Sequence, residues 1–230
     1  MPATGEHDSN NGGTGWRGTE LAGGSFPSPT WRIESGMTDS TAKALELDGK
    51  TTALVLIDLQ KGIVGLQLAP HSAKDVLARA AELAAAVRAA GGTVVYVHVD
   101  IAKVARLPVD APLMAGGPVP ADAAEIVPES GLEAGDVVIT KRSWGAFYGT
   151  DLDEQLKRRG IKTIVIGGIA TNMGVESTAR GGFDRGYELV FVEDAMTTMS
   201  KEWHEFAVKN LFPRMGRVRS AQQVREALAA

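Results

Sequence analysis

The chain has 230 residues, a formal net charge of −4 and a hydrophobic fraction of 44%. That length suits one α/β domain with at most a tail, and the acidic balance lacks the basic footprint of a nucleic-acid binder. There is no cysteine, which excludes disulfides, thiolate metal sites and a thiol nucleophile.

Residues 1–36 hold 8 of the 27 glycines, with Ser, Asn, Thr and Pro between them. Such a segment buries too little apolar surface to offset its chain entropy. It is expected to be a disordered leader, with the folded domain over 37–230. Met37 is a second candidate start. Trp16 and Trp31 are the best support for the opposite reading, an ordered arm docked on a partner subunit. The start lacks the charged-then-apolar pattern of a secretory signal. No apolar run approaches the roughly 18–20 residues that cross a bilayer. A cytoplasmic protein with no membrane partner is expected.

From Thr51 onward the pattern is regular. Ala53 to Ile57 is a short continuous apolar run ending at Asp58, the signature of a buried parallel strand. Ala73 to Ala90 is rich in helix formers and stops at Gly91-Gly92. Thr93–Val99 and Val137–Thr140 read as strands, and Asp151 to Arg159 as a polar helix closed by Gly160. Lys162 to Ile166 is a fourth strand running into Gly167-Gly168. Thr171 to Gly186 is helical and Leu189–Val192 a fifth strand. Lys201–Leu211 is a helix, Val218 a last short strand, and Ala221–Ala229 a final helix. Strands alternating with helices predict a three-layer α/β/α domain, a central and mostly parallel sheet of about six strands. The Asp100–Ala134 stretch is too long for a plain connection and reads as a lid or binding loop.

In such folds ligands bind at the carboxyl ends of strands. Those ends carry Asp58-Leu59-Gln60, His98-Val99-Asp100, Lys141-Arg142-Ser143-Trp144, the Gly168–Gly174 turn and Glu193-Asp194. Asp58 stands out, because a carboxyl at the end of a buried strand loses solvation and shifts toward the range of a general acid. Lys141 could pair with it or hold an anionic substrate. Gly167-Gly168 has neither phosphate-loop nor dinucleotide spacing, but backbone N–H groups at the helix start after it suit an oxyanion or a carboxylate. His7, His71, His98 and His204 show no metal spacing. His98 is expected to be a hydrogen-bonded core histidine, and Glu193-Asp194 structural. A serine nucleophile lacks its G-x-S-x-G turn, leaving only Ser143 as a distant candidate. No metal or cofactor is called for.

Taken together, four segments resemble the isochorismatase-like (cysteine hydrolase) superfamily. They are Leu54–Gln60, Thr140–Phe147, Gly168–Val175 and Val192–Ala195, in the matching order and spacing over roughly Thr51 to Ala229. The resemblance implies the Rossmann-like fold of that superfamily. It implies Asp58 and Lys141 as catalytic residues, with Ala170, Gly174, Gln60, Trp144, Phe147, Asn172 and Asp100 around the oxyanion and substrate. It also implies a non-proline cis peptide near Ile169-Ala170. Amidase members pair an Asp and a Lys with a Cys, and the matching position here is Gly174, so thiol-based amide hydrolysis is not available. True isochorismatases also carry glycine there and hydrolyse a vinyl ether. By that resemblance Asp58 would protonate the enol-ether carbon of a small carboxylated substrate. Isochorismatases place a glutamine near the end of the second strand, where this chain has His98 and Asp100, which leaves the substrate open. The alternative is a non-catalytic or unknown-substrate member serving as a small-molecule binder or assembly subunit. Relatives form dimers, tetramers or larger rings, so a homodimer or homotetramer is expected.

Overall fold

The strand β1 (Thr52–Ile57) is the middle of the sheet because all six of its side chains are buried and none is charged. Its pleat sends them to opposite faces. Leu54 and Leu56 enter one apolar cluster, Ala53, Val55 and Ile57 the other. A strand buried on both faces needs helices on both sides. The computed structural model describes residues 45–112 and 117–229; the expected leader, its tryptophans and Met37 lie outside them.

In chain order the remaining elements are α1 (Lys61–Val64), α2 (Ala73–Ala89), β2 (Thr93–Val99), β3 (Val137–Lys141), α3 (Leu152–Arg158), β4 (Thr163–Ile169), α4 (Glu176–Phe183), β5 (Glu188–Thr197), α5 (Lys201–Phe206), β6 (Arg217–Arg219) and α6 (Ala221–Ala229). The six strands lie in the order β3-β2-β1-β4-β5-β6, and every pairing is parallel. One cluster packs Val76, Leu83 and Val87 of α2 and Val224 of α6 on the sheet. The other takes Leu152 and Leu156 of α3, Ala179 of α4 and the stacked Phe191–Phe212 pair. Each fully buried leucine or valine contributes roughly 1.5–3 kcal/mol. α2 starts on a Ser72 cap, whose Oγ accepts from the Asp75 amide at 3.1 Å. Among the described residues, no helix is long and apolar enough to cross a membrane.

Several elements depart from their expected bounds or type. β4 continues through Gly167 and Gly168 to Ile169, where the glycines had marked a strand end. β5 runs on to Thr197, because a register shift lets Met196 and Thr197 resume pairing with Gly168 and Ile169. Glu193 and Asp194 therefore sit inside the strand rather than at its end. Asp194 is structural, as expected: it pairs with Arg79 at 3.0 Å and accepts from the Ala221 amide at 2.7 Å. The helix begun by α5 widens into a π-type turn over Ala207–Leu211.

The chain lays β2 and β3 to one side of β1 and then crosses to β4 on the other. The carboxyl ends of β1 and β4 thus flank the reversal of strand order where such sheets hold their ligands. Close approach there depends on Gly168, which has φ +118° and whose Cβ would collide with the Ile57 backbone. Gly168→Ala is expected to cost about 3 kcal/mol or more, from backbone strain and overpacking together. Urea unfolding of variant and parent checks this.

Candidate active site

β1 ends because Asp58 adopts φ +54°, a left-handed conformation that few residues other than glycine tolerate and that Asp accepts better than most. The turn lifts the next residues off the sheet and leaves the carboxyl at the strand's end, 6% exposed. Lys141 is the last residue of β3, two strands away, a gap of about 10 Å at normal strand spacing. Its four-carbon stem crosses the end of β2, and Nζ reaches Asp58 Oδ2 at 2.8 Å. Nζ also donates to the carbonyls of Ser143 (3.2 Å) and Trp144 (3.0 Å). The ammonium is thus 2% exposed yet well solvated by protein.

Asp58 Oδ1 is different. Among the described residues it is the one buried side-chain polar atom with no hydrogen-bond partner. Burial pushes the Asp58 carboxyl up to about 6, against the opposing pull of Lys141 and, more weakly, of His98. The group therefore sits close to neutrality in its protonation equilibrium, as a general acid requires.

The turn after β4 completes the site. The Ile169-Ala170 peptide is cis, as the resemblance implied. Thr171–Val175 forms a π-type turn leading into α4. Gly174 on this turn faces the pair: a Cβ there would lie 3.1 Å from Asp58 Oδ2, 3.5 Å from Lys141 Nζ and 2.9 Å from Ile57 Cγ2. Only a residue without a side chain fits without displacing something. Two hydrogen bonds that sequence reasoning missed hold the turn. Thr171 Oγ1 and His204 Nδ1 are 2.9 Å apart, both residues buried, and Thr198 Oγ1 donates to Asn172 Oδ1 at 2.7 Å. His204 is lowered to about 4, by burial first and by neighbouring His71 second, which keeps it neutral. No local signal connects residues 33 positions apart, so these ties were not visible in the sequence.

The remaining expected site residues divide. Trp144 sits beside the pair through its carbonyl, with its side chain half exposed. Asn172 braces the turn. Gln60 is fully buried, and its amide is committed to the backbone of Val99 and Ala123. Phe147 belongs to the core. It stacks on Tyr187 at 6.0 Å, lies under the Arg185 guanidinium at 4.9 Å and fills the slot left open by Gly181 and Gly182. Asp100 donates its amide to the Lys141 carbonyl, while its carboxylate pairs with Lys103 at 3.0 Å in the next turn of chain. His98 bonds through both nitrogens, to Ala124 O and Thr140 Oγ1, each at 2.7 Å. Ser143 Oγ donates to Gly145 O. Among the described residues no group of three acidic or histidine side chains could hold a metal ion.

The chain has close counterparts in sequence and in fold. The chain belongs to the isochorismatase family, whose domain matches residues 52–223. It is similar to the uncharacterized isochorismatase family protein YecD of Escherichia coli O157:H7, 46% identical over 196 residues, covering 80% of this chain and all of that one. It is also similar to the uncharacterized family protein YwoC of Bacillus subtilis, 48% identical over 186 residues, covering 79% and 96%. An isochorismatase family protein from Burkholderia thailandensis superposes with a TM-score of 0.76 at 45% identity, covering 80% of this chain and 98% of the other.

A folded-state value of about 6 against an ordinary 3.8 means that the folded protein holds the Asp58 proton more tightly than the unfolded chain. The associated stability is fully present below about pH 3.8 and is lost as pH rises through about 6. Its size is about 3 kcal/mol from the shift. Asp58→Asn removes this dependence. The difference in unfolding free energy, variant minus parent, is expected to move in the variant's favour by up to that amount between pH 4 and pH 7, as read by denaturant unfolding.

Proposed function

We propose that the chain is a hydrolase that cleaves a small carboxylated enol ether by acid catalysis, with Asp58 as the general acid and Lys141 as its partner. The observation that carries this reading is the asymmetry of the Asp58 carboxyl. Oδ2 is held by Lys141 and faces the side-chain-free Gly174, whereas Oδ1 is buried without a partner. An oxygen in that state is suited to carry a proton and hand it to a bound substrate.

In the proposed reaction the Asp58 proton goes to the terminal methylene carbon of the enol ether, leaving an oxocarbenium ion and an Asp58 carboxylate. Water adds to the cationic carbon and returns a proton to Asp58. The resulting hemiketal collapses to an alcohol and pyruvate. The oxocarbenium charge develops next to the newly formed carboxylate, which stabilises it in a site poor in water. Lys141 keeps the carboxyl oriented throughout. The substrate carboxylate is assigned to the backbone N–H groups near Ala170 and Gly174. No step requires a thiol, in keeping with a chain that contains no cysteine.

A non-catalytic binder or assembly subunit is the second reading, motivated by that missing thiol. The buried pair speaks against it. Taking two charges out of water costs several kcal/mol per ion, and apolar residues of similar volume are often as stable or better. A scaffold has no use for the pair.

Two outcomes are expected when purified protein is mixed with isochorismate and pyruvate release is followed by a coupled assay. Asp58→Ala should lower the rate by about 100-fold or more, the usual worth of a general acid. The parent rate should decline as pH rises above about 6, because the acid form is then depleted. Release that persists in Asp58→Ala would sink the assignment.

A further inference from the structure

The pairing of β1 with β2 stops early. The last ladder bond runs from the Asp58 amide to Val97 O at 2.8 Å, because the left-handed Asp58 then carries the chain out of the sheet. Val99, two residues further along β2, would be left with an unpaired N–H and C=O on that side. Buried backbone groups are almost never left so. The side chain of Gln60 supplies both partners. Its Oε1 accepts from Val99 N at 2.7 Å and its Nε2 donates to Val99 O at 3.0 Å. A primary amide here does the work of the peptide that a longer β1 would have provided.

The second Nε2 hydrogen is donated to Ala123 O at 2.9 Å. Ala123 opens the returning limb of the long 100–134 connection. That limb pairs antiparallel with the residues just after Asp58. Val127 N donates to Leu59 O at 3.0 Å, and Lys61 N and Gly62 N donate to Glu125 O and Ala123 O, each at 2.9 Å. Ala124 O meets the ring of His98, the residue before Val99.

We infer that Gln60 is a positioning residue: its side-chain amide stands in for the missing strand peptide, holds Asp58 in its turn and keeps residues 123–127 closed beside it. This rests on the reading of Asp58 as the acid. Gln60 touches no reacting atom. It acts by keeping water away from the carboxyl, while Lys141 on β3 and His98 on β2 are the charged and titratable groups that act on Asp58 directly.

The test is Gln60→Met, which keeps the length of the side chain and removes all three hydrogen bonds. The carbon-13 carboxyl resonance of Asp58 is titrated in parent and variant, and amide hydrogen exchange is followed at Gly62 and Val127. In the folded variant the Asp58 midpoint is expected to fall by about one unit or more from its value near 6. Exchange at the two amides is expected to quicken by about tenfold or more. An unchanged midpoint and unchanged exchange would overturn the inference. Where Gln60→Met does not fold, exchange in the parent decides. Val99, Gly62 and Val127 are expected in one slow class, and fast Gly62 and Val127 beside a slow Val99 would overturn the closure. A parent midpoint near the ordinary 3.8 would instead sink the acid reading itself.

Discussion

Lys141 and Asp58 meet at 2.8 Å with almost no exposure to water, and the carboxyl edge of the sheet is arranged around that contact. Such a pair adds little to stability, because the desolvation of two charges offsets most of their attraction. What it adds is geometry. The lysine is fixed by three acceptors, and it fixes one oxygen of the carboxylate while leaving the other unpaired. Burial then dominates over the lysine in setting the proton affinity of Asp58. Gly168 and Gly174 lack side chains where the chain passes closest to this pair and to the end of β1.

The constraint propagates outward. Asp58 must leave the sheet for its carboxyl to sit at the strand's end, so β1 is cut short and a side-chain amide completes the ladder. Gly168 must lack a side chain for β4 to pass the Ile57 backbone, and Gly174 must lack one for the following turn to approach the pair. The Thr171–His204 and Asn172–Thr198 bonds then lock that turn to the segment after β5. These are departures from regular strand and helix geometry, and they gather in one place. Local irregularity held in position by its surroundings is where function is usually found.

Membership of the isochorismatase family accounts for the frame, a six-stranded parallel sheet with helices packed on it. It does not by itself choose a reaction, since chemistry resides in the site rather than in the fold. The surroundings of Asp58 are specific to this chain's sequence. A glycine faces it where a side chain would touch the carboxylate, and the chain has no thiol to place there.

Much of this was legible in the residues. The continuous apolar run of β1, the helix-former stretch of α2 and the alternation of both reported the layered parallel sheet, because burial on two faces leaves a periodicity that local composition carries. Asp58 and Lys141 were legible as strand-end charges. The sequence by itself also determined that no thiol chemistry occurs, since that needs only a residue count. Tertiary structure decided the rest. Gly167 and Gly168 read as a strand end and proved to be strand, because their pairing partners lie on β1 and β5. Phe147, placed around the substrate by resemblance, packs in the core, because the slot that holds it is made by glycines more than 30 residues away. Gln60 read as a ligand contact and proved to be bound to backbone 39 and 63 positions distant. Periodicity reports which face of an element is buried; only the assembled sheet brings together groups whose partners are far apart in the chain, and so only it decides which strand-end residues share a site.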